Sequence, residues 1–282
     1  MELIERIPSL PPLKKDIHKG TAGRILLIGG SQGLSGSIIM ATKASLRSGG
    51  GLVTVAIPQE ISTIVESSSL ESMTIYCESH FGHLTEEAWN SIEPAIKISH
   101  SVVIGPGIGK HRGIQLLLEN ILSTDIPTII DADGLHHFKG HEVDQNRKSP
   151  LVITPHIGEM AIITGQPMPT DHQERINIAS QFAKEQNVIV VLKSHRTFVT
   201  DSINLYEEKG GNPGMATGGT GDILSGTIGT FLNLTDQSTF INVCRAVKLH
   251  SLAGDLAKSK GHERSLIATD LINHYPEALH KL

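Results

Sequence analysis

What most restricts the fold of this chain is a recurring unit: a short apolar run closes on glycine or a polar group, and a helix-like stretch follows. RILLIGG (residues 24–30), LVTVAIP (52–58), SVVIGPGIG (101–109), PTIIDADG (127–134), LVITPHIGE (151–159) and NVIVVLKS (187–194) are runs of this kind. Runs so short and so uniformly apolar suit strands buried on both faces, as in a parallel sheet. Helical spacing is legible over residues 38–47, 60–70, 85–98, 114–122 and 175–186, near Ala161, and again over 223–232, 242–258 and 269–280. RTFVT and INLYE read as antiparallel additions at one edge, and MELIERIPSLPPLKKD as a prolyl surface arm. The alternation predicts an α/β fold, a doubly wound, mostly parallel central sheet with helices on both faces, built as one domain over residues 1–282.

Composition removes several functional classes. Hydrophobic residues make up 39% but aromatics only 4%, so the core is built from Ile, Leu, Val and Ala. The net charge of −5 comes without a run of like charges, which argues against nucleic-acid binding. No stretch approaches transmembrane length and the N-terminus has no apolar leader segment, so no membrane partner is expected. Cys77 and Cys244 form no CxxC and fit a reduced, cytoplasmic compartment. The fifteen histidines are scattered, and neither His136–His137 nor His80 and His83 have partners at metal-ligand spacing.

In a doubly wound sheet, ligands bind at the carboxyl ends of the strands. Residues 29–36, 105–109, 131–134, 154–159 and 193–197 each follow an expected strand and should share that rim. GNPGMATGGTGDILSG (211–226) has a different signature: five glycines precede Asp222, and apolar residues recur after it at helical spacing. This reads as a glycine loop entering a helix, whose free N–H groups favour an anion. Asp222 would then sit beside a phosphate, placed to take a proton from an attacking hydroxyl, or it would simply cap the helix. GPGIGKH falls one residue short of a P-loop, with His111 where a metal-binding hydroxyl belongs, and its G-x-G-x-G spacing is a weak dinucleotide signal. GLSGS is no nucleophile elbow, and HExxH is absent. In TPHIGE, His156 and Glu159 suit a catalytic pair, a ligand contact through the histidine ring, or a strand-exit turn set by Pro155. In LKSHRT, Lys193, His195 and Arg196 suit an adenosine diphosphate or a solvated strand end. In DADG, Asp131 and Asp133 suit Mg²⁺ or a cap on the next turn.

Taken together, HKGTAGRILLIGGS, ASLRSGGGLVTV, VVIGPGIG, DADGL, TPHIGEMA, VVLKSHRT and NPGMATGGTGDILSG resemble the ADP-dependent NAD(P)H-hydrate dehydratases, stand-alone members of the ribokinase-like superfamily. The seven segments occur in the family's order through nearly the whole chain. The resemblance implies a ribokinase-like fold and repair of the S epimer of hydrated NADH or NADPH, with ADP as co-substrate and Mg²⁺ as cofactor. It implies Asp222 as the base and Gly219, Thr220 and Gly221 as the anion hole. It further implies that Ser37, Gly107, His156 and Asp222 contact the damaged cofactor. Lys193, Ser194, His195, Arg196, Thr197 and Gly221 would bind the nucleotide, and the metal ligands stay unassigned. Ser37 stands where the family commonly has alanine, Ile157 where it has proline, and LKSHRT replaces LKG followed by small residues. Because RILLIGG begins within the first thirty residues, a fused epimerase is not expected, and a separate one would act on the same metabolite. The resemblance also implies a homotetramer. Two other readings share the glycine loop: a thiazole- or pyrimidine-type small-molecule kinase, and a non-catalytic nucleotide-binding sensor.

Overall fold

The structure is a computed structural model describing residues 1–282. Its strands are β1 (Glu2–Leu3), β2 (Arg24–Ile28), β3 (Leu52–Pro58), β4 (Met73–Cys77), β5 (Ser79–His80), β6 (His83–Leu84), β7 (Ser101–Ile104), β8 (Thr128–Ile130), β9 (Leu151–Ile153), β10 (Ile189–Leu192), β11 (Phe198–Thr200) and β12 (Asn204–Glu207). The helices are α1 (Ser35–Arg47), α2 (Ser62–Ser68), α3 (Trp89–Ile96), α4 (Gly113–Ser123), α5 (Asp133–Phe138), α6 (Ile157–Thr164), α7 (His172–Gln186), α8 (Thr220–Phe231), α9 (Thr239–Lys260) and α10 (Ala268–Leu279).

One sheet runs in the order β1-β12-β11-β10-β9-β8-β7-β2-β3-β4, and β5 with β6 makes a separate small hairpin. From β4 through β10 the sheet is parallel, and β11 and β12 add antiparallel, as the sequence predicts. Chain order runs outward from β2 through β3 to β4, then restarts at β7 on the other side of β2. The crevice outside the carboxyl ends of β2 and β7 is therefore the topological switch point, where such sheets bind ligands.

Alternation along each strand divides the core. Ile25, Leu27, Val55 and Val103 pack against α1, α8, α9 and α10, while Leu26, Ile28, Val102 and Ile104 pack against α3, α4 and α7. Helix α8 is the most deeply placed, with every residue from Asp222 to Phe231 buried. Two glycines permit this: a Cβ at Gly226 would lie 2.1 Å from the Ala41 carbonyl oxygen of α1, and one at Gly229 would lie 2.4 Å from Val103 of the sheet.

The N-terminal arm lies on the surface, as expected, but it is anchored there. It is largely exposed, yet β1 pairs parallel with β12, and the Pro8 and Ser9 carbonyls accept hydrogen bonds from the buried Arg245 guanidinium. Both cysteines are free and buried, and no helix is long and apolar enough to cross a membrane.

Candidate active site

The loops after β2, β7, β8, β9 and β10 reach one rim, and a cavity of about 400 Å³ lies there. Ser37 from α1, Gly107 after β7, Ala132 and Asp133 after β8, His156 and Glu159 after β9, and Asp222 on α8 all line it. Each loop needs backbone conformations or clearances that its residues supply. A Cβ at Gly105 would lie 1.8 Å from the Asp131 carbonyl oxygen, so the β7 and β8 exits meet only because that position lacks a side chain. Ala132 adopts φ 50° and ψ −126°, a strained backbone for a residue with a Cβ. That strain falls in the wall of the cavity.

At the start of α8, Gly219 takes a left-handed φ of 96°. The N–H groups of Thr220, Gly221 and Asp222 have no acceptor within the chain, as expected for a helix's first turn. The Thr220 hydroxyl donates back to the Met215 and Thr217 carbonyls at 3.0 and 3.1 Å, closing the glycine loop. The half-buried His250 on α9 donates from Nε2 to the Thr220 carbonyl at 2.9 Å. Burial pushes the His250 pKa down to about 4, so it stays a neutral donor. Sequence inspection did not single it out, because its partner lies 30 residues away on another helix.

Asp222 is 9% exposed. Burial raises its pKa to about 7, the charge of Asp131 acts in the same direction, and the Ser37 hydroxyl and Lys193 oppose them. Lys193 is the local counter-charge. Its Nζ donates to Asp131 Oδ1 at 2.7 Å, lies 3.8 Å from Glu159 Oε2, and would stand 3.2 Å from a Cβ at Gly221. Burial works against the ammonium charge, but Asp131 and Glu159 outweigh it and its pKa is raised. Burial raises the Glu159 pKa as well, against the pull of Lys193. Asp131 does not cap the following turn: Oδ1 also accepts the Thr154 hydroxyl at 2.6 Å, and Oδ2 is buried with no partner. Asp133, in contrast, opens α5 and lends its charge to that helix start.

His156 is the N-cap of α6. Its Nδ1 accepts the N–H groups of Gly158 and Glu159 at 3.0 and 3.2 Å, while the Glu159 carboxylate accepts the His156 N–H at 2.7 Å. This is a capping box with histidine in the place usually held by serine or threonine. It leaves the ring proton on Nε2, 3.3 Å from Glu159 Oε1, and His156 lines the cavity. Ser194, His195, Arg196 and Thr197 form the turn between β10 and β11, closed by hydrogen bonds among Ser194, Arg196 and Thr197. His195 and Arg196 are exposed there, and none of the four lines the cavity.

A model of the NAD(P)H-hydrate dehydratase family matches residues 25–277. A bifunctional NAD(P)H-hydrate repair enzyme from Coxiella burnetii is 36% identical over 95% of this chain, which spans only 52% of that relative. Other bifunctional repair enzymes are likewise spanned over about half their length. An ADP-dependent (S)-NAD(P)H-hydrate dehydratase from Enterococcus faecalis is 34% identical over 92% of this chain and 85% of its own. Among solved structures, a ribokinase-like superfamily protein from Enterococcus faecalis superposes with a TM-score of 0.82 at 28% identity, over 99% of this chain and 95% of its own. A Bacillus subtilis ADP/ATP-dependent NAD(P)H-hydrate dehydratase, co-crystallised with ATP/Mg²⁺, superposes with a TM-score of 0.83 at 24% identity, over 99% of both chains, and so speaks for the fold. With its parallel sheet, switch-point cavity and glycine loop ahead of Asp222, this chain belongs to the NAD(P)H-hydrate dehydratase family.

Proposed function

We propose that the protein dehydrates the S epimer of hydrated NADH or NADPH, consuming ADP and releasing AMP and phosphate. The observation that carries this is the Asp222 carboxylate, which lines the switch-point cavity at the head of a helix whose first N–H groups are free. Hydroxide is a poor leaving group, so direct loss of water from the ring is slow. Asp222 takes the proton of the ring hydroxyl as its oxygen attacks the terminal phosphorus of ADP, and AMP departs. The ring nitrogen lone pair then expels the phosphorylated oxygen as phosphate, and the iminium left behind loses the proton on the neighbouring ring carbon to the departing phosphate, which restores the C=C double bond. A base with a pKa of about 7 is suited to this at neutral pH. The N–H groups of Thr220 and Gly221 meet the transferring phosphoryl group, and Lys193 beside Gly221 balances its charge.

Ser37, Gly107 and His156 hold the damaged ring, with the His156 Nε2–H as a donor. The Lys193–Thr197 segment, with Gly221, holds the adenine nucleotide. Mg²⁺ fits this donor set: the unpartnered Asp131 Oδ2 and the neighbouring Glu159 carboxylate offer oxygen ligands. No cluster of three or more side chains forms a complete cage, which suits an ion that shares its shell with phosphate oxygens and water. When bound, the ion neutralises charge on the transferring group. On the strength of the resemblance, the protein acts in the cytoplasm as a homotetramer. Incubating the purified protein with hydrated NADH, ADP and Mg²⁺ tests the activity: reduced-nicotinamide absorbance returns, with AMP and phosphate released. Accumulation of a stable phosphorylated product would make it a kinase, and no turnover with ADP or ATP would make it a sensor.

A further inference from the structure

At the amino end of the sheet, away from the Asp222 rim, a cleft of about 730 Å³ is lined by Arg24 at the start of β2 and His100 just before β7. His18 and Thr21 from the turn before β2, and Asn233 and Thr235 just beyond α8, complete its polar lining. No carboxylate lines it, although the chain carries a net charge of −5. The donors there are unmatched. The Arg24 guanidinium makes no hydrogen bond or ion pair, whereas Arg147 and Arg245 are fully engaged with carbonyls or carboxylates. His100 Nδ1 accepts the Arg24 N–H at 3.3 Å, which places the ring proton on Nε2, where no acceptor in the chain takes it. The His18 ring also has no hydrogen-bond partner.

A bland role for these bases would be to neutralise the carbonyl end of α8. The contacts do not bear that out. Ser101 Oγ and Asn233 Nδ2 bond the Gly229 carbonyl at 2.7 and 3.0 Å, and Asn233 Nδ2 also bonds that of Thr230. With its amide nitrogen so committed, Asn233 keeps a buried Oδ1 with no partner. Positive charge, a free guanidinium fork and one unmet acceptor call for a ligand that is anionic and also carries hydroxyl donors. We propose that this cleft binds a small phosphate ester bearing free hydroxyls, at a site separate from the catalytic rim. The volume suits a small metabolite rather than a bare ion. Helix α8 has 12 residues, so about 18 Å separates its two ends, one bearing Asp222 and the other tied by Asn233.

Titration calorimetry with ribose 5-phosphate as the probe, and inorganic phosphate beside it, tests the assignment. Ribose 5-phosphate is expected to bind one site per chain, more tightly than inorganic phosphate and more weakly as salt rises. Arg24→Gln should weaken it about tenfold or more, the usual loss for a charge-assisted contact. His18→Gln, at a ring that touches no partner and therefore should not disturb folding, should weaken it in the same direction. Absence of binding at millimolar ester would overturn the proposal, as would an affinity unchanged in both variants. Equal affinity for inorganic phosphate would overturn the ester assignment.

Discussion

Asp222 joins a helix start, a buried wall and a proton affinity near neutrality, and Asp222→Asn takes these apart. The cap of α8 is Gly219 and Asp222 makes no capping hydrogen bond, so the nearly isosteric asparagine leaves the fold intact. The proton acceptor is lost, and kcat should fall by about 10²-fold or more while calorimetry still finds ADP bound. Retained turnover would remove Asp222 from the chemistry and move the base to Asp131 or Glu159. The raised pKa also has a sign for stability. Between the unfolded value of roughly 4 and the folded value of about 7, the native state keeps a proton that the unfolded chain releases. Stability therefore drains as pH rises through that window, and Asn abolishes the drain. Relative to wild type, Asp222→Asn should gain Tm at pH 8 and lose that advantage near pH 5, whereas wild-type kcat/KM should climb through about pH 7. His156→Asn preserves a capping side chain and removes only the ring, so KM should rise several-fold with kcat nearly unchanged. A steep fall in kcat would instead make His156 part of the proton chemistry. Asp222 was legible because its loop and helix are contiguous in sequence. The Lys193–Asp131 pair spans 62 residues and the His250–Thr220 bond 30, and no local pattern encodes such distances.

Among the elements, α8 carries the most consequence, since it touches both α1 and the sheet and presents Asp222 at its head. Gly226→Ala would force its Cβ into the Ala41 backbone carbonyl, and neither helix can yield by a side-chain rotation. A loss of about 1–3 kcal/mol is expected, read as a lower urea midpoint with an unchanged slope. Gly218→Ala, which meets open space, should stay within roughly 0.5 kcal/mol. The central parallel strands were readable because burial on both faces writes itself as an apolar run, whereas the parallel edge strand β4, exposed or half-buried except at Cys77, was not. The two-residue strands β1, β5 and β6 were not, being too short to show a period. His156 could be placed at a strand exit but not recognised as a cap, because a histidine accepting N–H groups leaves no familiar signature.

Across the whole molecule, the N-terminal arm and the C-terminal helices are joined through one buried charge. The Arg245 side chain, 1% exposed, bonds Asp236 at 2.9 Å along with the Pro8 and Ser9 carbonyls. Asp236→Ala leaves that guanidinium underpaired, and because Asp236 is itself 29% exposed, the cost should fall below the roughly 3–5 kcal/mol of a fully buried pair. Thermal unfolding should show the drop, and an unchanged Tm would mean that the arm and Asn242 Oδ1 together satisfy Arg245. The proposed function places the chemistry at the assembled rim, where five strand exits and α8 meet, and its central claim is that the ring hydroxyl leaves as phosphate. Hydrated NADH carrying ¹⁸O in that hydroxyl tests this most directly, by mass analysis of the phosphate released during turnover with ADP. Label recovered in phosphate, one atom per NADH restored, is the predicted result; label recovered in water would contradict it.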